Sequence, residues 1–245
     1  MDKPFLIIIP TYNEADNIAA IINKINELSD LKNVGFDIVV VDDNSPDGTA
    51  QIVQSISKHS SNVILINRQC KCGLAQAYIF AFEWGLSKGY QFFCQMDADF
   101  SHNPEYLSGM FNLAKSNDYI VGSRYVKNGG VTNWGVIRRL ISFGGCLYSR
   151  IILNSPIKDQ TGGFNLWTRK VLENIGLDEI ISNGYSFQIE LKYRAHRKGY
   201  KYYEYPIIFD ERRAGRSKMS KHIFVEAIFN VWRLRFSGLK GFREN

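Results

Sequence analysis

Five short apolar runs, at residues 5–9, 36–41, 63–66, 92–96 and 119–121, each break off into polar residues, and amphipathic stretches at 15–28, 48–58, 74–88 and 104–114 separate them. Strands joined by covering helices have this pattern. Residues Ile38, Val39, Val40 and Val41 run without a polar alternate. A strand of that kind is buried on both faces, as in a parallel sheet between two helix layers. Asn13 and Asp47 stand where their side-chain oxygens can cap the first two helices. The expected class is α/β, with a mostly parallel sheet flanked by helices. At 245 residues and 45% hydrophobic content, the chain suits one principal domain.

The second half is less regular. A loop at 127–133 leads into a helical stretch, Val136–Leu153, where Arg138, Arg139 and Arg150 lie among Ile, Leu, Phe and Tyr. A helix at 185–198, an aromatic strand at 200–209 and a last helix at 219–236 are expected after it. Bulky apolar residues mixed with Arg and Lys suit helices that lie in a membrane interface. An aromatic stripe at helical spacing also suits core packing, and for the tail the two readings weigh equally. The division is residues 1–215 as the main domain, with 136–153 as an interface helix, and 216–245 as a basic amphipathic tail.

In open parallel sheets ligands bind beyond the carboxyl ends of the strands, near helix N-termini. The unusual polar residues fall there. The first run ends in Pro10-Thr11-Tyr12-Asn13-Glu14, the second in Asp42-Asp43-Asn44-Ser45-Pro46-Asp47-Gly48 and the fourth in Asp97-Ala98-Asp99. Each alone is ordinary turn composition; their coincidence suits a ribose and base. Asp97 and Asp99 can reach one hard divalent cation together, and such ions take oxygen ligands plus substrate phosphates. Ser101 and His102 follow in the same segment. Arg124, after a short strand, and the cluster Arg212, Arg213, Arg216 and Lys218 are phosphate-binding types.

A net charge of +6 suits anionic partners without choosing among them. A nucleic-acid binder would have no reason for an acidic strand-end rim. A dinucleotide dehydrogenase would carry GxGxxG after its first strand, and this chain does not. Cys70, Cys72, Cys94 and Cys146 lack zinc-site spacing and read as reduced thiols. Neither a secretory signal nor a span of ~20 apolar residues is read, so a soluble or peripheral protein is expected.

Ordered motifs then narrow the class. PTYNE at 10–14, VDDNSPDGT at 41–49, MDADFSH at 96–102, GSRYVKNGG at 122–130, NWGVIRRLIS at 133–142, DQTGGF at 159–164, GYSFQIE at 184–190 and GRSK at 215–218 cover nearly the whole chain. Together they resemble the family-2 nucleotide-sugar glycosyltransferases of the GT-A fold, and more narrowly the dolichol- or polyprenyl-phosphate mannose synthases. Three positions depart from the pattern: Ala75 in the turn commonly read as GLG, Asn165 where arginine is common, and Ser101 where some relatives have glutamine.

The resemblance implies a metal-dependent enzyme that transfers mannose from GDP-mannose to a polyprenyl (dolichyl or undecaprenyl) phosphate with inversion. Another nucleotide sugar, such as UDP-glucose or a UDP-N-acetylhexosamine, or a glycan acceptor stays open. Pro10, Tyr12, Glu14 and Asp43 would hold the nucleoside, with Asp97, Ala98, Gln188 and Lys218 also on the nucleotide sugar. Asp97, Asp99 and Ser101 would hold Mg2+ or Mn2+. Arg124 and Arg138 would face the acceptor phosphate, and Asp99, Arg124 and Arg212 form the implied catalytic set. The enzyme would work peripherally at the cytoplasmic face of a membrane, with no nucleic-acid partner. Some relatives recruit a small membrane-anchoring subunit.

Overall fold

The computed structural model describes residues 4–210 and 221–236. The first half alternates as β1 (Phe5–Thr11), α1 (Ala15–Asn26), α2 (Ser29–Val34), β2 (Phe36–Asp42), α3 (Thr49–Ser57), β3 (Val63–Asn67), α4 (Leu74–Ser87), β4 (Phe92–Gln95), α5 (Tyr106–Ala114) and β5 (Tyr119–Ser123). The second half adds β6 (Gly130–Val131), α6 (Val136–Leu153), β7 (Asn165–Thr168), α7 (Arg169–Leu172), α8 (Gly184–Arg197), β8 (Tyr202–Pro206), β9 (Ile208–Phe209) and α9 (Lys221–Phe236). Seven strands form one sheet in the order β3-β2-β1-β4-β7-β5-β8, and β6 pairs with β9 apart from it. Only β7 runs antiparallel to its neighbours.

Strand alternation distributes the core over both faces of the sheet. Phe5, Ile7, Ile9, Ile38 and Val40 pack with α1 and α5 on one side. Leu6, Ile8, Val39 and Val41 pack with α4 and α8 on the other. Successive residues of a strand point to opposite faces, so an unbroken apolar run is what a two-sided core requires. In α1, Ile18, Ile21, Ile22 and Ile25 recur at helical spacing and are all fully buried. Each such side chain stabilises the fold by roughly 1.5–3 kcal/mol. Pro10, without an N–H, is tolerated in a central strand because β1 pairs with β4 only as far as Ile8 and with β2 alone beyond it.

Several local expectations change. The first helix stops at Asn26, and after Leu28 in extended conformation a short second helix begins. Asn13 is not its cap: it adopts a left-handed φ of 60°, and its N–H donates to Ser45 Oγ. Asp47 takes over, accepting from Ala15 N through Oδ2 and from Thr49 N through Oδ1, so one carboxylate serves the starts of two helices. The strand expected at 200–209 splits at Ile207, whose N–H donates to Ser123 O while its carbonyl accepts from Gly130 N. There the chain leaves β5 for β6. Cys70 and Cys72, read as thiols, are joined as a disulfide, the chain turning so that their Cα atoms lie 5.6 Å apart. Cys94 and Cys146 are buried thiols.

Candidate active site

The first two polar turns are laced into one rim. Asp42, at the end of β2, accepts from Thr11 Oγ1 (2.7 Å), Ser45 Oγ (2.6 Å) and Ser45 N (2.8 Å). Glu14 N donates to Thr49 Oγ1, which itself donates to Asp47. Asp42 is therefore a scaffold for the turn. Its neighbour Asp43 faces the 68–73 segment, pairing with Arg68 at 2.9 Å and accepting from Gly73 N at 3.1 Å. Lys71 lies over the Tyr12 ring, 3.8 Å from its centroid. Pro10, Tyr12, Glu14 and Asp43 thus share one end of the sheet with the disulfide-bearing loop. Arg68 is an addition; nothing but its tertiary pairing marks it.

The Asp97-Ala98-Asp99 turn follows β4. The Asp97 carboxylate is one-third exposed, whereas Asp99 is buried and its Oδ1 accepts from Ser101 N (3.1 Å) and Ser101 Oγ (2.6 Å). Ala98 packs its methyl into the core, so it can meet a ligand only through its backbone. His102 accepts the Asp97 N–H at Nδ1 (3.0 Å) and stacks on Phe164. Burial holds its pKa below the ordinary value despite the pull of Asp97 and Asp99. A neutral imidazole here serves to orient the turn. The two carboxylates fit a hard cation. Among the described residues no group of three or more His, Cys, Asp or Glu is placed to hold a metal ion, so an ion on these two carboxylates would need further oxygen ligands, such as the diphosphate oxygens that Mg2+ and Mn2+ sites commonly use.

Because β7 is antiparallel and lies between β4 and β5, the loop before it, 159–164, arrives at the same edge as Asp97 and Arg124. Gly122 permits the closest approach: its N–H donates to Phe164 O at 2.8 Å, and a Cβ there would stand 2.7 Å from that oxygen. Arg124 is buried, with Nε and Nη2 each 2.7 Å from one Asp159 oxygen and Nη2 also 2.9 Å from Thr161 Oγ1. Burial would lower its pKa, but Asp159 outweighs that and raises it. The arginine expected at a phosphate is thus first a clamp on this loop. Arg138, on α6, stacks over Trp134 at 4.1 Å.

On α8, Gln188 is buried, and its Oε1 accepts from Asn165 Nδ2 at 3.0 Å. Its Nε2 has no hydrogen-bond partner and lies 3.8 Å from where a Gly163 Cβ would stand, with His102 Cε1 3.6 Å away on the same site. An unpaired buried amide beside a space kept clear by glycine suits a sugar hydroxyl. Arg212 and Lys218 lie outside the described residues.

A mostly parallel seven-stranded sheet flanked by helices, with a two-carboxylate turn and a polar rim at the carboxyl ends of its strands, is a GT-A-like fold. Solved glycosyltransferase structures share the fold. Glucosyl-3-phosphoglycerate synthase from Mycobacterium tuberculosis, in complex with Mn2+, UDP and glucosyl-3-phosphoglycerate, matches with TM-score 0.68 at 14% identity over 96% of this chain and 80% of that one. A mannosyltransferase from Pyrobaculum calidifontis, in complex with GDP-Man and Mn2+, matches with TM-score 0.56 at 16% identity over 96% and 70%.

The chain belongs to glycosyl transferase family 2, whose model matches residues 6–176. It is 40% identical over 239 residues to the undecaprenyl-phosphate mannosyltransferase of Micrococcus luteus, covering 96% of this chain and 97% of that one. It is 41% identical over 234 residues to the polyprenol monophosphomannose synthase of Mycolicibacterium smegmatis, covering 94% and 87%.

Proposed function

We propose that this family-2 glycosyltransferase moves mannose from GDP-mannose to a polyprenyl phosphate, with inversion at the anomeric carbon, at a membrane surface. The observation that carries the reading is the near-full-length identity of about 40% to two relatives named for lipid-phosphate mannosyl transfer. The lipid-facing half is supported by α6. Val136, Ile137, Leu140, Ile141, Phe143, Leu147 and Ile151 are exposed along it, while Cys146, Ser149 and Leu153 are buried. Phe229, Trp232 and Phe236 are exposed on α9, which packs against α6 and α8. An apolar row of this length suits a lipid surface. No helix among the described residues is long and apolar enough to cross a membrane.

Asp97 and Asp99 would hold Mg2+ or Mn2+, and the bound ion would offset the charge left on the departing nucleoside diphosphate. The protein's own groups do the rest. Pro10, Tyr12, Glu14 and Asp43 receive the nucleoside on the rim built by Asp42 and Asp47. Ser101 keeps the Asp99 carboxylate turned to its task. Gln188 offers its amide N–H to a sugar hydroxyl. A phosphate monoester has its second pKa near ~6, so the acceptor is already largely anionic at neutral pH and needs no strong general base. What it needs is positive charge and alignment, which Arg138 beside Trp134, and Arg124 behind it, supply. The side chains of Arg212 and Lys218 add to that set in this reading.

A donor screen with a short-chain polyprenyl phosphate, read as lipid-linked sugar, tests it. Mannose transfer from GDP-mannose that requires Mg2+ or Mn2+ and is abolished by Asp99→Ala is the expected result. Transfer from a uridine donor only, or to a soluble glycan only, would overturn the donor or acceptor assignment.

A further inference from the structure

Lys192 has no part in the reaction as outlined, yet an ammonium without solvent is costly unless its donors are met. It lies on α8 one turn beyond Gln188 and is completely buried. Its Nζ donates to the carbonyl oxygens of Asp159 (2.9 Å), Gln160 (3.2 Å) and Gly162 (2.7 Å). All three of its protons are used. Three carbonyl dipoles converging on one point would repel one another without a cation among them.

The segment so gathered is the one that shapes the site. Asp159 accepts from the Arg124 guanidinium, from Arg124 N (2.9 Å) and from Gly162 N (2.9 Å). Asn165 Nδ2, just beyond, donates to Gly162 O and Gln188 Oε1. Thr161 Oγ1 reaches Arg124 and lies 3.3 Å from Cys146 Sγ on α6.

We propose that Lys192 is a positioning residue for glycosyl transfer: by holding three carbonyls of 159–162 it sets Asp159 beneath Arg124 and keeps Gly163 withdrawn in front of Gln188. The proposal rests on the site described above being the site of transfer. The charged and titratable groups that face the ammonium are Asp159, Arg124, Cys146 and Glu204. Burial lowers its pKa to about 8, against the opposing pull of Asp159. On deprotonation the amine would keep two protons for three carbonyls and lose its charge, and its hold on the loop would weaken.

The test uses whichever donor and acceptor the wild-type chain turns over, so a wrong sugar assignment does not affect it. In Lys192→Met, kcat falls on the order of 10²-fold, the scale of a misaligned reacting pair, while GDP or UDP binding to the rim, which Lys192 does not hydrogen-bond, stays at wild-type affinity. Wild-type kcat is expected to fall as pH rises past about 8, where Lys192 would lose its proton, and Lys192→Met is expected to show no such fall. Lys192→Arg, whose charge persists, recovers part of the activity without the alkaline fall. Wild-type kcat in Lys192→Met, or an unchanged alkaline limb, would overturn the proposal. Should Lys192→Met not fold, hydrogen exchange on the wild-type protein decides. Corrected protection of the Arg124 and Gly162 amides drops between pH 7 and 9 if Lys192 holds the loop, and constant protection would sink the idea.

Discussion

Arg124 and Asp159 form a buried two-pronged ion pair, with Nε and Nη2 each 2.7 Å from a different carboxylate oxygen. It joins the end of β5 to the loop that precedes β7, so the arginine and that loop are held against each other. Burial alone would raise the Asp159 pKa; Arg124 outweighs it and brings it down to about 2.

Breaking that pair from one side leaves the other charge stranded in the interior. Asp159→Asn should therefore destabilise the fold by about 3–5 kcal/mol, measured by urea unfolding at neutral pH. Since the folded pKa lies below the ordinary 3.8, the carboxylate's contribution is complete above that value and is lost as pH falls toward about 2. The stability gap between wild type and Asp159→Asn should narrow over that window. A gap independent of pH would count against the ionised pair.

Ser101 acts on Asp99 through its hydroxyl. Ser101→Ala keeps the backbone donor and removes the 2.6 Å one, so the Mn2+ concentration for half-maximal transfer should rise about tenfold, the lower range for an outer partner of a ligand. The melting temperature should barely move. No change in metal requirement would show that the carboxylate needs no such support.

Gly163→Ala tests the space beside Gln188. The added methyl meets only ordinary contacts, 3.6 Å from His102 Cε1 and 3.8 Å from Gln188 Nε2, so folding should be nearly unaffected. Sugar-nucleotide KM should rise several-fold, by about 1 kcal/mol of lost binding, with affinity for the bare nucleoside diphosphate unchanged. Equal weakening of both ligands would move the sugar elsewhere.

Ile137 and Leu140 are exposed by 74% and 66%. Replacing both with Glu should lower binding to anionic vesicles by at least about tenfold, since each removes an insertion worth roughly 1.5–3 kcal/mol. Thermal stability should hold, as should transfer to a short-chain, water-soluble acceptor. Vesicle flotation unchanged by the pair of substitutions would take α6 off the membrane.

Local chemistry was legible wherever a property belonged to consecutive residues. The apolar runs ending at Val41 and Val121 could be read as strands because burial on both faces leaves a mark on every residue. The bounds of α6 were readable because Gly135 and Asn154 punctuate a long periodic stretch. β7 was not, since four residues with no repeat carry no period. Asp47 capping α1 from another loop, Arg68 turning to Asp43, and the Cys70–Cys72 pairing depend on how the chain folds back.

The amino-acid sequence by itself determined the α/β class, the acidic turn at Asp97 and Asp99, and the family, through motifs whose spacing survives without coordinates. Tertiary structure alone decided what Arg124, Asp159, Gln188 and Lys192 bond to. Hydrogen bonds and ion pairs between residues tens of positions apart are set by the antiparallel insertion of β7, and no local pattern of residues encodes where that strand enters the sheet.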